Sequence, residues 1–131
     1  TPGRTLFPYT TLFRSRIGNT NMTAEEFVSN VKDEVFKETF EYYFKTLPNS
    51  IVGTDKNWKA SKELYHSLNE EQKQQMQAFT RLVMQDVVSM IFGKLDNISS
   101  FANQEGEFEL TINGNVISGD LQELFLMGID S

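Results

Sequence analysis

The segment from Asn69 to Leu95 restricts the fold more than any other, because its apolar residues recur at the spacing of one long amphipathic helix. Met76, Phe79, Val83, Met84, Val87, Val88, Met90, Ile91 and Leu95 form a broad stripe, with Gln75, Arg81, Gln85 and Ser89 opposite. So wide a stripe predicts a helix covered by others, and Met76, Met84 and Met90 read as core packing. Its start is specified by Asn69-Glu70-Glu71-Gln72, an Asn cap with Gln at the third helical position. Its end falls between Gly93 and Asp96.

A first helix precedes it. Thr23-Ala24-Glu25-Glu26 is a capping box, in which the Thr23 hydroxyl accepts from the Glu26 N–H and the Glu26 carboxylate accepts from the Thr23 N–H. Met22 and Phe27 stand at the positions of a hydrophobic staple. At about 100° per residue, Phe27, Val28, Val31, Val35 and Tyr42 share one lobe, while Phe36, Phe40, Tyr43, Phe44 and Leu47 share an adjacent one. Pro48 stops the helix, since the residue before a proline is pushed out of the helical region. Ile51 to Lys56 is then a connection, and a short helix runs from Asn57 or Trp58 to Ser67.

After the long helix, Asn97 to Gly106 is polar and aperiodic, which predicts a loop. Glu107 to Ile112 alternates as a half-buried strand does, and Asn113-Gly114 signals a type I′ hairpin turn into a returning strand, Asn115 to Ser118. Asp120-Leu121-Gln122-Glu123 is a capped start for a short helix to about Met127. The expected fold class is α+β, mainly α, with three helices, a C-terminal β-hairpin and a short terminal helix.

Thr5 to Ser15 read TLFPYTTLFRS, which resembles the in-frame translation of a common short-read sequencing adapter. That resemblance implies a non-native leader over residues 1–21 and a single small globular domain over residues 22–131, starting at Met22. With Arg4, Arg14 and Arg16 set aside, nine basic residues face 18 acidic ones, a net charge of about −9. Phosphate backbones and anionic lipid are bound largely through Lys and Arg, so neither nucleic acid nor a membrane is an expected partner. A basic protein is. The chain has no cysteine, which excludes disulfides and thiolate metal sites and suits the reducing cytoplasm. No stretch approaches the roughly 20 apolar residues of a membrane-spanning helix.

Chemistry-bearing constellations are scarce. His66 is the only histidine, so sites needing two imidazoles are excluded. Asp96 to Glu107 has the length and acidic ends of a calcium loop, but Ile98 stands where position three needs an oxygen and Phe101 where position six needs glycine. Nucleophile elbows, phosphate loops and dinucleotide fingerprints are absent from the sequence. No catalytic residue, cofactor or metal is therefore expected. The run from Trp58 through Asp96, with Phe108-Glu109-Leu110 and Gly119 through Leu126, resembles a small bacterial protein of no named functional family. Acidic bacterial proteins of this size include immunity partners of toxins, an analogy of size and charge.

What remains is surface. The acids Glu25, Glu26, Asp33, Glu34, Glu38 and Glu41 line the first helix, and Phe36, Phe40, Tyr43, Phe44, Trp58 and Tyr65 form the candidate interface wherever they are not core. The expectation is a non-enzymatic interaction module that binds a protein partner or itself, with immunity-like binding of a basic toxin as its most concrete form. The rival class is a small-ligand binder or enzyme whose pocket, between the first and the long helix, uses His66, Tyr43, Asp86 or Tyr65.

Overall fold

Helix starts follow the local chemistry. The computed structural model describes residues 22–53 and 55–128, so the leader of residues 1–21 and its adapter-like stretch lie outside the described residues. Helix α1 (Ala24–Asn30) opens on the Thr23 capping box, with Glu26 N donating to Thr23 Oγ1 at 3.0 Å and Thr23 N donating to Glu26 Oε1 at 3.1 Å. It runs without a break through a π-helical stretch (Val31–Lys37) into α2 (Glu38–Thr46). Helix α3 (Lys56–Ser67) is capped by Asp55, whose carboxylate accepts from the Asn57 and Trp58 N–H groups, each at 2.9 Å. Helix α4 (Glu70–Leu95) opens on the reciprocal Asn69 and Gln72 pair, at 2.8 and 2.9 Å.

The π stretch departs from the sequence expectation, which carried ordinary α pitch from Thr23 to Leu47. Phe27, Val31, Phe36, Phe40 and Phe44 are separated by 4, 5, 4 and 4 residues, and the five-residue step lies inside the π stretch. A π turn bonds each residue to the fifth along, so residues five apart share a face. Phe27 and Val31 of the first lobe thereby come onto the face of Phe36, Phe40 and Phe44 from the second. Phe27, Val31 and Phe36 pack against the core, while Val35 is left 53% exposed. Phe36→Ala is expected to cost about 2 kcal/mol in urea unfolding, and Val35→Ala no more than about 0.5 kcal/mol. Equal losses at the two positions would mean that the helix keeps α pitch throughout.

The core gathers Val28, Phe92, Leu121 and Phe125, where α1, the end of α4 and helix α5 (Leu121–Leu126) meet. Phe92 and Phe125 touch edge to face at 5.7 Å, with Phe27 reaching Phe92 and Phe36 reaching Phe125, each at 6.1 Å. A second apolar group joins α2 to α3: Phe40, Leu47 and Tyr65 are buried, and Phe44 bridges Phe40 and Tyr65 at 4.8 and 6.4 Å. Cations lie over these rings, the Arg81 guanidinium 4.3 Å from Phe40 and the Lys73 ammonium 4.8 Å from Tyr65. Helix α3 also holds the chain leaving α2, because the buried Lys62 ammonium donates to the Ser50 carbonyl at 2.9 Å.

Helix α4 ends in a Schellman turn. Asn97 takes the left-handed conformation at φ +63°, and the Ile98 and Asn97 N–H groups donate back to the Gly93 and Lys94 carbonyls at 2.9 and 3.1 Å. The Asn97 side chain then pairs with both backbone groups of Phe108, at 3.0 and 2.9 Å. That pairing takes Phe108 out of the expected strand. Strands β1 (Thr111–Ile112) and β2 (Asn115–Val116) are shorter than the alternation predicts, and pair antiparallel with Thr111 opposite Val116. The turn is as read: Asn113 and Gly114 have φ +51° and +82°, the two positive values of type I′.

Helix α5 is capped from outside itself. Asp120 makes no side-chain cap bond, contrary to the sequence reading; instead the buried Asp96 carboxylate, just past α4, accepts from Gly119 N at 2.7 Å and Gln122 N at 2.8 Å. The Gln122 amide donates to the Ser89 carbonyl at 3.0 Å, an approach that Gly93 permits, since a Cβ there would stand 2.9 Å from Gln122 Nε2. The fold class is thus α+β, mainly α, with a small C-terminal hairpin. No helix among the described residues is long and apolar enough to cross a membrane.

Candidate functional site

The long helix has more apolar surface than the fold covers. Of α4 only Ser89, Phe92 and Gly93 are buried, with Met76, Met84, Val88 and Leu95 half-buried. Phe79, Leu82, Val83, Val87, Met90 and Ile91 are between 44% and 65% exposed. Steps of three and four residues put Phe79, Val83, Val87, Met90 and Ile91 along one outer face, about 18 Å from first to last at the α-helical rise, while Leu82 stands half a turn round from Ile91. Met90 therefore does not pack in the core as the sequence reading had it. Scattered exposed apolar residues are ordinary, whereas a continuous row marks a contact surface.

Little charge interrupts the row. Asp86 lies at its edge, and Lys94, four residues past Met90, folds its ammonium over Phe101 at 4.8 Å and donates to the Ser100 carbonyl at 3.0 Å. Phe101 in turn meets Phe108 edge to face at 6.2 Å, which carries exposed aromatic surface past the end of the helix.

A cleft of about 500 Å³ opens between α2, α3 and the first half of α4. One wall is the Trp58 and Tyr43 rings, stacked at 4.9 Å and 12°; Met76 and Met84 face them from α4, with Phe44 and Leu47 also lining the space. Three of its polar side chains are engaged locally. Asp55 caps α3, the Ser61 hydroxyl donates to the Asn57 carbonyl and the Thr80 hydroxyl to the Met76 carbonyl, both at 2.8 Å. A hydroxyl that gives its proton to its own helix is a poor nucleophile, and no imidazole stands beside it. The Lys62 ammonium lies 5.6 Å from the Trp58 centroid, on a ring already stacked by Tyr43, so the wall suits an uncharged apolar group better than a cation.

Of the candidate interface residues, Phe40 and Tyr65 are buried, Phe36 and Phe44 half-buried, and Trp58 half-buried beside the exposed Tyr43. The cleft gathers Tyr43, Phe44 and Trp58, but not the other polar groups of the expected pocket. His66 is exposed with Nε2 3.2 Å from the Asn49 carbonyl, Tyr65 packs under Phe44, and Asp86 lies out on α4. Among the described residues, no group of three or more His, Asp or Glu is placed to hold a metal ion. Glu25, Glu26, Asp33, Glu34, Glu38 and Glu41 are all exposed, and the ion pairs observed, Lys59 with Glu63 and Lys73 with Glu70, lie elsewhere.

The five residues of the outer α4 row are the surface that sequence reasoning missed as a site. The signal was present in the breadth of the stripe, wider than the few remaining elements could cover. The chain matches no protein-family model, no curated protein and no solved structure in the comparisons made with each.

Proposed function

We propose that the chain is a non-enzymatic protein-interaction module that binds another protein, or a second copy of itself, through the outer face of α4. The uncovered row from Phe79 to Ile91 carries this reading, because burying it against a partner removes apolar surface from water at about 25 cal/mol per Å². The exposed acids of α1 and α2 add a field that draws basic proteins, which supports the immunity-like form of the reading. Charge would steer such a partner, and the apolar row would hold it. A cysteine-free acidic chain of this kind suits the cytoplasm.

A second reading, binding of a small uncharged apolar ligand, is favoured by the cleft under the Trp58 and Tyr43 stack. Photo-crosslinking separates the two. A photoreactive residue replacing Val87 is expected to give adducts with protein, self or other, and the same residue replacing Gln74, on the opposite side of α4, is expected to give none. Absence of any adduct at Val87, together with a rise in Tm when apolar fragments fill the cleft, would transfer support to the ligand reading.

A further inference from the structure

Resting on the reading that the outer face of α4 is a protein contact, we infer that its occupant is a second copy of this chain, laid antiparallel across α4 about a two-fold axis level with Gln85. Charge is the first argument. Between Phe79 and Ile91 the charged residues are Arg81 and Asp86, and Arg81 is turned away onto the Phe40 ring. The exposed acids of α1 and α2 lie outside the row, so charge gives no hold on a partner within it. The row calls for a neutral apolar counter-surface, and the same row on another copy is one.

Spacing is the second argument. Phe79 and Ile91 lie six residues either side of Gln85, and Val83 and Val87 lie two either side. An antiparallel copy therefore sets Phe79 against Met90 and Ile91 of the second copy, and Val83 against its Val87, so that apolar side chains meet throughout. Opposed helix dipoles favour the same direction.

Area is the third. Five large side chains, each showing about 100 Å², give roughly 500 Å² on each copy and about 1,000 Å² in all, the threshold for a specific though weak interface. An interface of that size forms a reversible dimer, with a dissociation constant on the order of 10 µM.

Sedimentation of the full chain across a concentration series around that value is expected to show the mass rising from monomer to dimer. Val87→Glu with Met90→Glu changes exposed side chains only, so helicity by circular dichroism should persist while dimer affinity falls at least about 100-fold. If that double variant loses helicity, the uncharged Val83→Gln variant, expected to weaken the dimer about tenfold, takes its place. Because the chain has no cysteine, direction is read by oxidation: Val83→Cys with Val87→Cys, which face each other across an antiparallel pair, is expected to cross-link two copies, and Met90→Cys, far from the axis, is not. A chain that stays monomeric well above that concentration overturns the inference, as does a dimer unmoved by the α4 variants or one that cross-links through Met90→Cys alone. Monomeric behaviour with photo-adducts from Val87 to a different protein defeats the self-association and leaves the interaction reading standing. Monomeric behaviour with no adduct at Val87 defeats both.

Discussion

Replacing Phe125 by alanine is expected to lower the stability of the domain by about 4 kcal/mol, the largest effect of any single truncation in the core. The ring is wholly buried and stands between Phe92 of α4 and Phe36 of the π stretch, at 5.7 and 6.1 Å. Removing it takes away the apolar surface it hides and leaves a cavity bordered by three different elements, which cannot all close on it without losing contacts elsewhere. Domains of this length have about 5–15 kcal/mol in total, so this one change removes a third or more of the folding free energy. Urea unfolding is the measurement: the midpoint should fall with the slope m unchanged. A loss under about 1 kcal/mol would show that α5 is not part of the core.

The second large effect belongs to a polar group. Asp96→Ala is expected to cost about 3 kcal/mol, because two backbone N–H groups, those of Gly119 and Gln122, lose an ionised acceptor in a part-buried setting. Asp96→Asn keeps one acceptor oxygen and should cost about half as much. Amide hydrogen exchange gives the more specific readout. The Gly119 and Gln122 amides, and then the rest of α5, should exchange faster in Asp96→Ala than α1 or the middle of α4 do. Uniform acceleration throughout the chain would mean that Asp96 acts on global stability without a particular hold on α5.

These two residues also show what the sequence made legible. Structure set by a residue and its near neighbours could be read directly: the Thr23 and Glu26 box, the Asn69 and Gln72 box, and the Asn113-Gly114 turn all form as their side-chain chemistry requires. Phe125 and Leu121 fall on the helix that the Gly119-Asp120 signal opens. Asp96 was hidden, because its partners lie 23 and 26 residues further on and nothing in the local pattern distinguishes a carboxylate that caps a distant helix from one that faces water. The same limit shortened the hairpin, since Asn97 and Ser118 take backbone partners that the alternation of Glu107 to Ile112 had assigned to a strand.

The candidate surface was half legible for a related reason. Periodicity reports which residues of α4 are apolar, not what lies opposite them, so Met76, Met84 and Met90 looked alike. Two of them have neighbours and the third does not. On the first helix the wheel showed two lobes offset by roughly one residue's rotation, which is the trace of the π stretch, but a wheel drawn at fixed pitch cannot turn that offset into a wider turn. The stacking of Tyr43 on Trp58, fifteen positions apart, depends on where that turn leaves α2 and lay beyond any local pattern.

The wide turn between Val31 and Lys37 sets a bearing as well as a core. It takes in one extra residue without the rotation that residue would add at α pitch, so the turn itself sets the compass direction in which everything from Glu38 onward faces. Deleting one residue inside it would space Phe27, Val31, Phe36, Phe40 and Phe44 by fours and restore ordinary winding with α2 facing as it does now, whereas winding the present sequence at α pitch would swing α2 by about 100°, carrying Tyr43 off the indole of Trp58 and Phe40 out from under Arg81. The aromatic cleft thus rests on the wide turn absorbing one residue, and not on the residue count alone.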